Sequence, residues 1–255
     1  MKTTSRGYNL NYITEGAGPA LVLIPGLTQS LQRWVDRGYV ERFSPSFRVI
    51  ALDPLGHGLS DKPHTADAYQ MADCALDVRA VLDAEGVGEA HVWGYSRGAR
   101  IANTLATLHP ERVTSLIIGG QLAATLDPRI QAISDERNRK LADAFRGGDV
   151  DTAMLMLDAK DPAAREILLS GNDLDALAAA IEGDLGGKPD LDFSGLRRPP
   201  LAYAGDGEMF LALFQHTAAQ AGAEFHVIPD ANHLSAFASM TKVAPIVDGY
   251  LARSL

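Results

Sequence analysis

The sequence predicts an α/β fold, a mainly parallel sheet with helices on both faces and an inserted helical lid, on three observations. Six short apolar runs rich in Val, Ile and Leu are spaced along its 255 residues. Helical periodicity fills most of the intervals between them, and the alternation breaks once, from about Gln121 to Leu196. Strands alternating with helices imply a parallel sheet covered on both sides, because each crossover lays a helix on one face.

In chain order, Tyr8-Asn9-Leu10-Asn11-Tyr12-Ile13-Thr14 alternates polar and apolar residues and then meets Glu15-Gly16-Ala17-Gly18-Pro19. That is the pattern of an antiparallel edge hairpin leading into the first parallel strand. The runs Leu21 to Ile24, Val49 to Leu52, Ala90 to Trp93, Leu116 to Ile118, Leu201 to Ala204 and Phe225 to Ile228 read as strands buried on both faces. Met71 to Glu85 places Ala75, Val78, Val81 and Leu82 at helical spacing. The break holds helix-like segments at Ile130 to Phe145, Val150 to Leu157, Ala163 to Leu169 and Leu174 to Glu182. An insertion between two strands of such a sheet covers the carboxyl ends where ligands bind. Residues 121–196 therefore read as a lid on a core of 1–120 and 197–255, with Gly147-Gly148 and Gly186-Gly187 as candidate hinges and Arg198-Pro199-Pro200 marking the return to the sheet.

Composition narrows the function classes. The chain is 46% hydrophobic and 22% charged, ordinary for a globular enzyme, and its net charge of −9 argues against nucleic acid or anionic membrane as a partner. The single cysteine, Cys74, has no internal disulfide partner and no metal-ligand spacing around it, so it reads as a small buried helix residue. The start, Met1-Lys2-Thr3-Thr4-Ser5-Arg6-Gly7, lacks the apolar core of a signal peptide, and no apolar run approaches membrane-spanning length. A cytoplasmic protein without repeats or low-complexity tracts is the expectation. Oligomeric state stays open, a homo-oligomer included.

The chemistry centres on Gly94-Tyr95-Ser96-Arg97-Gly98, which follows a strand-like run and opens a helix-compatible stretch. A serine at the apex of a sharp strand-to-helix turn projects its hydroxyl clear of the sheet. The five-residue pattern alone arises by chance in many chains; its strand and helix flanks raise its weight. Serine needs a neighbouring base, and the base an orienting acid. Of seven histidines, His233 lies just after the last predicted strand, where a turn carries its ring to the sheet edge of Ser96. The acid belongs between them in sequence, and Gly205-Asp206-Gly207-Glu208 offers two carboxylates. Asp206 follows a glycine and suits turn stabilisation; the longer Glu208 is the first choice and Asp206 the second. The oxyanion needs two backbone N–H donors. Arg97, at the helix start, supplies one, and Leu27, after Gly26 in the loop Pro25-Gly26-Leu27-Thr28-Gln29-Ser30, supplies the other by analogy.

With these residues in place the chain resembles the α/β-hydrolase fold family over nearly its whole length. Asp53-Pro54-Leu55-Gly56-His57-Gly58-Leu59-Ser60 is similar to the family's D-x-x-G-x-G-x-S segment, and His109-Pro110-Glu111-Arg112-Val113 to the stretch before its sixth strand. The resemblance implies an eight-stranded sheet and places the acid three residues after the glycine ending the seventh strand, on Glu208. Three departures stand out: glutamate where most relatives carry aspartate, Pro25 where many carry histidine, and Arg97 where a smaller or apolar residue is common. The Arg97 guanidinium pairs with a substrate carboxylate or with an acid of the lid, the structural pairing being favoured. His57 matches a turn histidine of structural use, and Asp53 reads as a turn former. Trp34, Tyr95, Phe210 and Phe237 are candidates to line the substrate pocket and equally suit core packing.

The function expected is hydrolysis of an ester, lactone or related carbonyl bond in a small, largely apolar molecule, through an acyl-enzyme and with no metal or organic cofactor. Relatives using the same triad also hydrolyse enol-lactones and carbon–carbon bonds of vinylogous diketones. Dehalogenases and epoxide hydrolases of this fold place aspartate at the elbow, so Ser96 argues against them. A slow-turnover small-ligand receptor is the alternative from a different class.

Overall fold

The computed structural model describes residues 1–126, 128–157, 159, 165–166, 168, 171–185 and 190–253. Arg6 and Gly7, at φ 50° and 87°, turn the chain between β1 (Lys2–Ser5) and β2 (Tyr8–Glu15), the left-handed pair that matches strand twist in a two-residue hairpin. β2 then pairs antiparallel with β4 (Arg48–Leu52). From β4 onward every pairing is parallel, through β3 (Ala20–Ile24), β5 (Ala90–Tyr95), β6 (Val113–Gly119), β7 (Leu201–Gly205) and β8 (Glu224–Ile228). The resulting eight-stranded sheet has the order β1-β2-β4-β3-β5-β6-β7-β8. All six expected strands are present, most of them one or two residues longer, but β8, at the edge of the sheet, is mostly exposed or half-buried rather than buried on both faces; the hairpin's first arm, with the polar sequence Lys-Thr-Thr-Ser, carries no apolar signal.

Successive residues of a strand point to opposite faces, so the buried strands divide their side chains between two cores. Val22, Ile24, Ile50, Leu52, Val92 and Ile118 pack with α3 (Met71–Ala84) and α4 (Arg97–Leu108). Leu21, Leu23, Val49, Ala51, Trp93 and Ile117 face the other way, onto α1 (Gln32–Asp36), α2 (Tyr39–Phe43) and, near the C-terminus, the helix Met240–Ala252.

Between β6 and β7 the described residues contain helices and no strand: α5 (Pro128–Arg146), α6 (Val150–Met156) and α7 (Leu174–Leu185). These build a small core of their own from Leu141, Phe145, Ala153, Met154, Leu177 and Ile181, and Leu27 and Leu234 of the main domain pack against it. The insertion therefore sits over the loops that carry Leu27 and His233. The hinge expected at Gly147-Gly148 is corrected: Gly148, at φ 66°, lies in a turn closed by Gly147 N–H to Asp143 O and Asp149 N–H to Ala144 O, so these glycines join two helices of the insertion rather than insertion to core. Gly186-Gly187 and most of the segment expected as helix at 163–169 lie outside the described residues. Later in the chain come α8 (Leu211–Gln220), α9 (His233–Ala238) and α10 (Met240–Ala252). No helix among the described residues is long and apolar enough to cross a membrane.

Candidate active site

Leu27, Ser96, Glu208 and His233 each follow a strand, β3, β5, β7 and β8 in turn, and so converge on the carboxyl edge of the sheet. Ser96 stands at φ 53° and ψ −119°, a region L-residues avoid at a cost of about 1–3 kcal/mol. Tight packing enforces it. A Cβ at Gly98 would fall 2.2 Å from Ile24 O and 2.5 Å from Pro25 O, so α4 approaches β3 this closely only with glycine there. Ser96 N–H is fixed to Gly119 O at 2.8 Å, leaving the side chain as the partly accessible part of the turn.

His233 opens α9 through a capping box in which Asn232 Oδ1 accepts from Ser235 N–H and Ser235 Oγ accepts from Asn232 N–H. Tyr95 hydroxyl donates to the His233 carbonyl from below. The ring is thereby aimed so that Nδ1 lies 2.6 Å from Glu208 Oε2 and Nε2 lies 3.0 Å from Ser96 Oγ. Since the Glu208 carboxylate can only accept, Nδ1 carries the proton and Nε2 presents a lone pair to the serine hydroxyl. The Glu208 side chain is 7% exposed, which strengthens this pairing by excluding competing water.

Asp206, the second choice for the acid, is placed elsewhere. Its carboxylate accepts from Ala231 N–H at 2.9 Å and Asp230 N–H at 3.0 Å, and these hydrogen bonds hold its pKa below the ordinary value. It fixes the loop that delivers His233 rather than the imidazole itself. Among the described residues neither Leu27 N–H nor Arg97 N–H has a hydrogen-bond acceptor within the protein, as two oxyanion donors require.

The Arg97 side chain turns away from the serine. Its Nη2 and Nε donate to Asp184 of α7 at 2.9 and 3.1 Å, and both side chains are almost fully buried. Burial opposes the guanidinium charge, but the Asp184 carboxylate more than offsets that and keeps the Arg97 pKa above its ordinary value. Of the two expected pairings, the one with an acid of the 121–196 insertion is present, and the acid is Asp184. Burial, with the Arg97 charge adding to it, pushes His57 down to about 3; its Nδ1 donates to Leu55 O, as befits a structural turn histidine. Asp53 accepts from Leu31 N–H, Leu59 N–H and Asn11 Nδ2, tying the turn after β4 to the loop that carries Leu27. Cys74 is buried, and burial raises its thiol to about 11, which leaves it inert.

Three of the four aromatic pocket candidates are corrected. Trp34, Tyr95 and Phe237 are at most 1% exposed and stack in one cluster with Tyr39 and Trp93, so they form the floor beneath the site and offer no surface to a ligand. Phe210 precedes α8 and is 41% exposed, the one of the four with open surface. Among the described residues His64, Asp173 and Asp175 have potential ligand atoms within 4.8 Å of one another. Asp173 there already accepts from Ala176 N–H and pairs with His64, a helix cap and a contact between the insertion and the core. The sequence alone did not single out the Tyr95 hydroxyl, Asp184 or Asn172, whose Nδ2 donates to Thr28 O from the insertion.

Comparison with known proteins bears on the fold and the family. A putative 2-succinyl-6-hydroxy-2,4-cyclohexadiene-1-carboxylate synthase of Bacillus subtilis is 33% identical over 145 residues, 55% of this chain and 51% of that protein. Epoxide hydrolase B of Mycobacterium tuberculosis is 36% identical over 101 residues, 39% of this chain and 28% of that one. The chain thus spans about half or less of the curated relatives it matches. The enol-lactonase of Burkholderia xenovorans LB400 superposes with a TM-score of 0.73 at 22% identity, over 100% of this chain and 99% of that one, which shows a shared fold. The family model for the alpha/beta hydrolase fold matches residues 19–152, just over half of the sequence. The chain belongs to the alpha/beta hydrolase fold family.

Proposed function

We propose that the chain is a serine hydrolase that cleaves an ester, lactone or related carbonyl bond of a small, largely apolar molecule through an acyl-enzyme. The observation that carries this reading is the hydrogen-bonded series Ser96 Oγ, His233, Glu208 at the strained turn. As Oγ attacks the carbonyl carbon, His233 Nε2 takes its proton, and Glu208 stabilises the imidazolium that forms. Charge moves onto the carbonyl oxygen, where the N–H groups of Leu27 and Arg97 receive it. Collapse of the tetrahedral species expels the alcohol, which takes the proton from His233. Water then repeats the sequence and releases the acid. No metal or organic cofactor enters.

Leu27 and Leu234, half-buried beside the triad residues, keep apolar surface at the site, which supports an apolar substrate. The name of the epoxide hydrolase relative does not transfer, because a carboxylate nucleophile would have to stand where this chain has Ser96. The test is turnover of short p-nitrophenyl esters by the parent and by Ser96→Ala. The expected loss of kcat is about 10⁴-fold or more, with the fold intact by circular dichroism. Parental turnover in Ser96→Ala would overturn the assignment.

A further inference from the structure

Besides its contacts with His64, Ala66 and Tyr69, inserted helix α7 touches, near its two ends, the two segments that carry the oxyanion amides. Just before its N-terminus, Asn172 Nδ2 donates to Thr28 O at 3.1 Å, one residue beyond Leu27. Thr28 has a φ of 66°, a left-handed conformation that a β-branched residue holds only under constraint from its surroundings. In the last turn of α7, Asp184 accepts from Arg97 Nη2 at 2.9 Å and from Arg100 Nη1 at 3.2 Å, both on the first turn of α4.

Helix physics alone disfavours Asp184. A carboxylate in the last turn faces the negative end of the helix dipole, and a buried one is costly without partners. Its two arginine partners on α4 account for its presence. The adjacent Gly183 allows the approach: a Cβ there would fall 2.6 Å from Ala66 O and 2.7 Å from Tyr69 Cβ, so α7 seats against the core only with glycine at that position.

We propose that α7 is a brace that positions both oxyanion donors, Asn172 through the Thr28 carbonyl beside Leu27 N–H, and Asp184 through the side chain of Arg97, whose own N–H is the second donor. Neither residue touches the reacting atoms; both are positioning residues. The inference rests on the serine-hydrolase reading. A donor that is slightly misplaced meets the tetrahedral oxygen poorly and alters ground-state binding little, so the brace acts on kcat and not on KM.

The test measures kcat and KM for Asn172→Ala, Asp184→Asn and Asp184→Glu on one p-nitrophenyl ester, and inhibition by a trifluoromethyl ketone whose serine adduct places an oxyanion in the hole. Asp184→Asn is expected to lower kcat about tenfold or more and Asn172→Ala about three- to tenfold. KM stays within about twofold, and the ketone weakens by the same factor as kcat. Asp184→Glu, which keeps the charge, recovers part of the loss. Asn172 is half-buried and its Nδ2 donates to Thr28 O, so that variant tests the brace even where Asp184→Asn does not fold. Parental kcat in either folded variant, or a loss confined to KM, overturns the brace and leaves the serine mechanism standing. Parental turnover in Ser96→Ala removes that mechanism, and the brace with it.

Discussion

Two carboxylates two residues apart, Asp206 and Glu208, are put to different uses by their hydrogen-bond partners. Glu208 accepts from an imidazole N–H and Asp206 from two backbone amides, so exchanging charge for neutrality has different consequences at each. Glu208→Gln removes the charge that stabilises the imidazolium and is expected to lower kcat about 10³- to 10⁴-fold. Asp206→Asn weakens the Asp230 and Ala231 turn and is expected to lower the melting temperature while costing less than about tenfold in kcat. Steady-state kinetics of both on one ester checks this; a larger kcat loss at Asp206 reverses the roles. The order serine, acid, histidine does not separate the two, since both follow β7; the spacing of three residues after Gly205 that the family resemblance implies pointed to Glu208, and the hydrogen bonds place Glu208 Oε2 on His233 Nδ1. The aromatic candidates were not legible: Trp34, Tyr95 and Phe237 satisfy a core and a pocket equally by residue type, and only their packing with Tyr39 and Trp93 decides. Likewise Arg97 announces a need for an acid, but Asp184 is 87 residues away and becomes its partner only through the seating of the inserted helix α7.

At the scale of elements, the helix that opens on His233, the proposed base, is short. α9 spans six residues, too few to be stable alone, so its capping box carries an unusual share of its order. Asn232→Ala removes the acceptor for Ser235 N–H and is expected to cost about 1 kcal/mol of stability. Because His233 is the first residue of that helix, a several-fold fall in kcat is expected with it. Urea unfolding and ester kinetics on the same sample check both; unchanged stability with unchanged kcat refutes the coupling. Long elements with a clear period were readable from sequence. The five-residue helices α1 and α2 were not, since they span little more than one turn, and Gly147-Gly148 resembles a hinge until its amide hydrogen bonds show a closed turn.

Across the whole molecule, acid stability is governed by histidines that fold in the neutral state. Burial, assisted by nearby arginines, depresses His57 from 6.5 to about 3 and His91 from 6.5 to about 4. Both are almost fully buried, His57 with Nδ1 on Leu55 O and His91 with Nδ1 on Ser115 Oγ. As pH falls below about 6.5 the unfolded chain binds protons at these positions while the native protein does not, so stability falls with pH. Each group contributes a slope of at most about 1.4 kcal/mol per pH unit until its native value is reached. Carboxylates extend the loss to lower pH. Hydrogen bonds and the charge of Arg48 outweigh burial and hold Glu85 below its ordinary value, and Arg146 does the same for Glu182, so the stability these groups add above the unfolded carboxylate range disappears as they protonate. Asp77, raised by burial despite its bonds to Arg6, works in the opposite sense. The urea midpoint is therefore expected to be nearly flat from pH 8 to 7 and to drop steadily between about pH 6.5 and 4. His57→Asn, whose amide can still donate to Leu55 O, removes one of these two buried rings and is expected to reduce their joint contribution to the slope by roughly half. A parent whose midpoint does not change between pH 7 and 5, or a variant that keeps the parental slope, shows that these rings fold already protonated.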